Sequence, residues 1–152
     1  MDTVEFRIES AAFPTGTDTA VEPWVNGVPL RDLARAIELP FTEAEGSPNL
    51  AGGYAGLSTD RDVRWPSRHF LGEPRISWFG DGDTVLLGCR CGDPGCWPLT
   101  SNIVITPETV GWQHFRNGHR SWDLRALGPF RFAASDYLAA LERTSDGADS
   151  TR

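Results

Sequence analysis

The thiols of this chain, Cys89, Cys91 and Cys96, crowd into one short segment that also carries Gly92, Pro94 and Gly95. Residues two apart on a strand face the same way, so Cys89 and Cys91 share a side. A hairpin loop over 92–95 would set Cys91 opposite Cys96, with β-carbons about 4.5–5.5 Å apart. Three sulfurs at one corner suit a tetrahedral zinc with sulfur at about 2.3 Å and a fourth ligand from a distant segment. His119 leads the candidates for that ligand, ahead of His114, His69 and Asp93, because it lies in a polar turn just past the strand expected beside the cysteine hairpin. The gaps of one and four residues depart from the two-residue gaps of ordinary zinc knuckles. Two other readings stay open. The thiols can pack as small core hydrophobes beside Val85 and Leu87, or Cys91 and Cys96 can form a redox pair.

A second dense cluster gathers His119, Arg120, Trp122 and Asp123. An imidazole with a carboxylate and a nearby thiol has the parts for acid-base or nucleophilic chemistry. Trp and Arg on one loop are equally the residue types of an interaction hot spot. A purely structural arrangement would bury Trp122 and have Asp123 cap the turn or pair with Arg120. The expectation is a binding surface made of Arg120, Trp122 and Asp123, with His119 on the metal.

These clusters need a scaffold, and the patterning describes one. Val4, Phe6 and Ile8 alternate with charged residues, as in a strand with one buried face. A short strand at Trp24-Val25 leads through Asn26-Gly27 to Pro29, placed as a first helical residue. Leu30, Leu33, Ala34 and Ile37 predict an amphipathic helix over 30–39 that stops before Pro40. No period survives from 40 to 72, where short hidden elements or a flap are the alternatives. The glycine run at 51–56 lacks the Lys-Ser or Lys-Thr of a phosphate loop. Strands are predicted over 75–79, 84–91, 99–105 and 109–115, joined by tight turns at 80–83, 92–95 and 106–108 into an antiparallel meander. The two aspartates at 80–83 lack the further oxygens of a calcium cage. A register fault in the cysteine hairpin calls for a bulge near Trp97-Pro98. Phe130 and Phe132 mark a further strand, and Ser135-Asp136 can cap a last helix. Together these give one α+β domain over 1–143 and a disordered tail over 144–152.

Composition narrows the function. A chain of 152 residues is one domain's worth and buries roughly 70% of its unfolded surface. Its charge of −7, with no basic patch, argues against nucleic acid. No apolar run approaches the ~20 residues of a membrane span. Residues 1–9 lack the basic and apolar regions of a leader, so a cytoplasmic protein is expected, where clustered cysteines bind metal more often than they form structural bridges.

The string 86–99, followed by Val110-Gly111-Trp112-Gln113-His114-Phe115, His119-Arg120, Trp122-Asp123-Leu124 and Leu127-Gly128-Pro129-Phe130-Arg131-Phe132, resembles an uncharacterised family of small bacterial proteins of actinobacterial type. The resemblance is strong in the C-terminal half and faint before it. It implies a cytosolic bacterial origin and brings no activity with it. The expected function is therefore a protein-binding or accessory, immunity-like module with a zinc site and a partner that the acidic charge would make basic. A small hydrolase or redox protein using Cys91 or Cys96 with His119 is the alternative.

Overall fold

The computed structural model describes the backbone of residues 1–150 and the side chains of residues 1–144. Strands β1 (Val4–Phe13) and β2 (Gly16–Val25) form a long antiparallel hairpin, from Val4 against Val25 to Phe13 against Gly16. The second strand is much longer than Trp24-Val25 suggests. Its first half is polar, but Thr17 and Thr19 are β-branched and fit a pleated surface without needing burial. Asn26 and Gly27 both take positive φ, 53° and 79°, as a two-residue hairpin turn requires. They return the chain to β3 (Val28–Pro29), so Pro29 precedes the helix instead of opening it.

Helix α1 (Leu30–Ala44) does not stop before Pro40 but continues through it. Proline removes one backbone donor and disfavours helix at the preceding residue. Contacts beyond Pro40 outweigh that cost: Thr42 is buried, and Phe41 stacks on Trp122 at 6.1 Å. The segment 40–72 proves to hold short elements. These are the end of α1, 3₁₀ turns at Pro48–Leu50 and His69–Leu71, and two-residue strands β4 (Tyr54–Ala55) and β5 (Leu57–Ser58). Strand β5 joins β2 in the first sheet.

The second sheet has the order β4-β6-β7-β8-β9, every pair antiparallel, with β6 (Asp83–Cys89), β7 (Leu99–Ile105), β8 (Thr109–Asn117) and β9 (Phe130–Ala133). The meander holds from β6 onward, but the strand predicted over 75–79 is absent, so Phe79 does not pair with Thr84. Buried Asp83 explains why: its carboxylate accepts the backbone N–H groups of Trp78, Phe79 and Gly80 at 2.8, 3.1 and 3.0 Å. Those donors are satisfied within a turn and do not seek a ladder. The expected bulge is present at a different place, at Leu86, between the pairs Val85–Thr100 and Leu87–Leu99. It lets consecutive residues of a strand buried on both faces fit the core. The cysteine hairpin also ends sooner than expected. Strand β6 stops at Cys89 and β7 begins at Leu99, with a 3₁₀ turn at Pro94–Cys96 between them, so Cys91 and Cys96 are loop residues and not a cross-strand pair. Pro94 and Pro98 lack the donors a longer ladder would use.

Helix α2 (Ala134–Ser150) closes the core and reaches into the segment expected as a tail. Thr144 is buried and its hydroxyl donates to the Phe6 carbonyl at 2.6 Å, while residues 151 and 152 lie outside the described residues. The two sheets share one core, with Phe6 4.8 Å from Phe70 and edge-on to Tyr137 at 5.5 Å, and Trp112 against Phe132 at 5.1 Å. The result is a single α+β domain. Among the described residues no helix is long and apolar enough to cross a membrane.

Tyr137 is the polar fastener of that core. Its hydroxyl donates to the Phe70 carbonyl at 2.5 Å and accepts from Trp112 Nε1 at 3.2 Å. Tyr137→Phe keeps the ring but leaves both partners buried and unsatisfied. Denaturant unfolding should show a loss of about 1–3 kcal/mol, and an unchanged midpoint would refute this role.

Candidate functional site

Strand β8 ends on Asn117, and a chain of buried polar groups holds it there. Asn117 Nδ2 donates to the Tyr54 hydroxyl at 3.0 Å, and that hydroxyl donates to Glu38 Oε2 on α1 at 2.5 Å. Glu38 Oε1 accepts the Gly52 N–H at 2.9 Å. On the other side of Asn117, its Oδ1 accepts the His119 N–H at 2.8 Å. A fully buried carboxyl on the helix thus orients the turn that carries the second cluster. The glycine run serves this packing: a Cβ on Gly52 would sit 2.6 Å from Arg35 Cβ and 2.9 Å from the Arg31 carbonyl. Gly118 is equally constrained, since a Cβ there would lie 2.5 Å from Pro98 Cγ, and Trp78 Nε1 donates to its carbonyl at 3.0 Å.

The four residues singled out in the turn lie together. His119 Nε2 sits 2.8 Å from the Gly95 carbonyl, and its ring stacks on Trp97 at 6.1 Å. Arg120 Nε and Trp122 Nε1 donate to the two oxygens of Glu45, at 3.0 and 2.6 Å, and the Arg120 guanidinium lies 5.1 Å from the Trp97 ring centre. These bonds, the Trp122 N–H first and Arg120 second, hold the Glu45 carboxyl below its ordinary value. Asp123 does not pair with Arg120. It takes both Nε and Nη2 of Arg125, which pulls its pKa down to about 2. Sequence reasoning missed Glu38, Tyr54, Asn117, Glu45, Trp78 and Trp97. One signal was readable: Leu30, Ala34, Glu38 and Thr42 recur every four residues, which puts a glutamate on the buried stripe of α1.

A cavity of about 940 Å³ opens beside this turn and is lined by His119, Arg120, Trp122 and Asp123 together with residues 113–118 of β8 and its exit. Phe115, Leu124 and Leu127 supply apolar wall, and the exposed Phe79 stands at the mouth beneath the Arg116 guanidinium, 3.8 Å from its ring centre. The cavity follows an incomplete sheet edge. Strand β9 pairs with β8 only over 109–112, and Asn117 bridges back to Arg120, so residues 113–116 have no strand on that side among the described residues. A bulge against β7 lies in the same stretch, with His114 at φ 58°.

The cysteines lie in the loop beside the turn, where His119 Nε2 is taken up by the Gly95 carbonyl. Cys89 and Cys91 are half-buried and Cys96 is exposed, so the three do not form a core cluster. Cys89 Sγ accepts the Cys91 N–H and Cys91 Sγ accepts the Asp93 N–H, both at 3.4 Å. Among the described residues no group of three or more His, Cys, Asp or Glu stands in metal-holding geometry. The other ligand candidates are engaged elsewhere. His69 is fully buried, with Nε2 on the Val85 carbonyl at 2.7 Å and Nδ1 accepting the Arg75 N–H at 3.0 Å. Burial pushes its pKa down to about 4, so it is a neutral core histidine. Asp93 caps the 3₁₀ turn by accepting the Gly95 N–H at 3.0 Å, and His114 lines the cavity.

Glu38 gives this site a pH signature. Burial, opposed by the bonds from Tyr54 and Gly52, raises its pKa above the ordinary 4.5. The folded state then binds this proton more tightly than the unfolded chain, so the contribution of Glu38 to stability falls as pH rises from 4.5 through its folded pKa. Glu38→Gln removes the titration. The stability difference, wild type minus variant, should therefore shrink between pH 4.5 and neutrality, and a constant difference would contradict the assignment. Arg120→Ala should shift the thermal midpoint little, because its ion pair with Glu45 is partly open to solvent, 35% and 33% exposed on its two sides. Trp122→Ala, which also loses the Phe41 stack, should shift it several-fold more. No protein-family model matches the chain, and no curated protein or solved structure matches it.

Proposed function

We propose that this domain is a protein-binding module that receives an extended segment of a partner along the open edge of β8. The supporting observation is the coincidence of the cavity with residues 113–116, an edge without a strand partner among the described residues. Backbone groups on such an edge bind an added strand through main-chain hydrogen bonds, and adjoining pockets select alternate side chains. Four residues at about 3.3 Å each make about 13 Å of edge, enough for a short strand. Phe115, Leu124 and Leu127, nearly buried, supply an apolar wall. Trp122 and Arg120 at the rim are the residue types that dominate binding energy. Arg116, Arg120 and Arg125 are neutralised by Asp81, Glu45 and Asp123, so the cavity adds no strong basic field to a chain of charge −7. A partner with basic residues flanking an apolar extended segment fits that balance, in keeping with an accessory or immunity-like role in the cytoplasm. Thiol catalysis has less support, because His119 Nε2 is on the Gly95 carbonyl and not on a sulfur.

A random peptide display library panned against the full chain tests this reading. Enriched peptides should alternate apolar residues and, on binding, slow amide hydrogen exchange at 113–116. Ser121 is exposed at the cavity wall, so Ser121→Trp should obstruct the cavity, change stability by no more than ~0.5 kcal/mol and weaken capture strongly. Peptides that bind the variant equally, or protect amides elsewhere, would overturn the proposal.

A further inference from the structure

The glycine run at 51–56 lies against arginines that the fold collects from two distant segments, so a basic site forms where none is visible along the sequence. Arg31 and Arg35 stand about one turn apart on α1 and share a face, and Arg90 follows the end of β6. A Cβ on Gly52 would lie 2.6 Å from Arg35 Cβ, and one on the next residue, Gly53, would lie 3.3 Å from Arg90 Nη2. Arg90 Nη2 also donates to the Asn49 carbonyl at 3.2 Å, which ties that guanidinium to the start of the same run. All three arginines line one cavity of about 440 Å³, a volume that suits a small ligand. Charge distinguishes it from the cavity beside β8. There Arg116, Arg120 and Arg125 each have a carboxylate partner. Here Arg35 and Arg90 have none among the described residues, Arg31 lies with Nε 3.0 Å from Glu22 Oε1, and the lining sets three guanidiniums against the carboxylate of Asp32.

We propose that this cavity binds a small phosphate monoester, its phosphate held by Arg31, Arg35 and Arg90 and its organic group lying in the adjoining groove. Guanidinium forks match phosphate oxygens and stay charged at physiological pH. Three of them exceed what the two oxygens of one carboxylate can take, and they suit the three terminal oxygens of a monoester. Like charges gathered without partners repel, and a bound anion removes that cost. The groove starts from the same residues: Arg31 and Arg90 also line a second cavity, of about 320 Å³, that runs along Ala11, Phe13 and Ala55. Those side chains fit an apolar or aromatic body. Glu9 and Glu22 border the same groove and repel a second anionic group, so a monoester is favoured over a polyphosphate or a nucleic-acid backbone. The site works unlike a phosphate loop. The amides of Gly52, Gly53 and Tyr54 are already taken, by Glu38 and by the carbonyls of Leu50 and Gly52, so side chains and not backbone N–H groups hold the anion. The glycines let the run approach α1 closely and leave room for the Arg90 guanidinium.

The test titrates the full chain, in about 0.15 M salt to screen diffuse surface attraction, with phenyl phosphate, inorganic phosphate and benzoate. Binding is read by calorimetry and by NMR shifts of backbone amides and arginine Nε groups. Phenyl phosphate should saturate at one equivalent with a Kd of about 1 mM or tighter. Inorganic phosphate should shift the same residues more weakly, and benzoate should bind least. The shifts should centre on Arg35, Gly52, Gly53 and Arg90. Affinity for phenyl phosphate should rise as pH passes about 6, where a phosphate monoester takes its second charge. Arg35→Gln and Arg90→Gln keep the stems beside the run, and each should weaken binding by about 10-fold or more with a thermal midpoint close to wild type. Asp32→Asn removes the opposing carboxylate and should tighten binding several-fold. Absence of saturation, shifts confined to other residues, or wild-type affinity in the Arg35→Gln, Arg90→Gln double variant would overturn the site. Benzoate binding as tight as phenyl phosphate would overturn the phosphate assignment, and inorganic phosphate binding as tight would overturn the role of the groove. None of these ligands reports on peptide capture along β8, so the two proposals fail independently.

Discussion

A single buried carboxyl, Glu38, ties together elements that the sequence keeps far apart. It accepts from Gly52 and from Tyr54, and Tyr54 in turn accepts from Asn117 at the end of β8. Burying a carboxyl is costly unless its oxygens are hydrogen-bonded, and here both are. Removing any one partner would strand the others in an apolar surround, so the helix, the glycine run and the strand end stand or fall together. The geometry of the turn at 118–122 is a consequence of this arrangement, because Asn117 also fixes the His119 amide.

The same helix supplies the second anchor. Glu38, Phe41, Thr42 and Glu45 lie at spacings of three and four and so share a face. Phe41 stacks on Trp122, and Glu45 takes Trp122 and Arg120. Three of these four residues lie beyond Pro40. A helix ending at residue 39 would keep the inner anchor and lose the outer one, leaving the turn held at one end only. The missing proline donor costs one backbone hydrogen bond, whereas continuation satisfies a ring stack and two side-chain donors.

This explains what the sequence disclosed and what it withheld. Local signals were sound wherever local chemistry decides: the strand from Val4, the Asn26-Gly27 turn, the start of α1 and the strands from Thr84 to Phe115 are all legible in pattern. Local signals failed where distant contacts decide. Pro40 reads as a stop because Trp122 is invisible from residue 40; residues 75–79 are a different case, where a near neighbour, Asp83, takes the amides of Trp78, Phe79 and Gly80, a side-chain choice that residue-type patterning does not record. His69 looked like a ligand candidate until burial and its two backbone partners made it part of the core. For the site, the crowding of the thiols and the clustering at 119–123 could be read directly. The open edge of β8 could not, because it depends on where β9 stops.

The two clusters that the sequence kept separate form one surface unit. Trp97 follows Cys96 directly, and its ring lies against His119, Trp122 and the Arg120 guanidinium. Gly118 binds the Pro98 carbonyl at 2.9 Å, and its own carbonyl takes Trp78. The cysteine loop therefore forms one wall behind the turn that borders the cavity, and the order of either segment constrains the other. Rigidity matters there, because a preorganised edge avoids the entropy that a mobile one would lose on ordering. The buried carboxyl holds the turn from the helix side. On the opposite side the cysteine loop holds it through His119 and Trp97, so the cavity wall is fixed from both directions, by Asn117 and His119, which line the cavity, and behind them by Glu38 and Trp97, which do not.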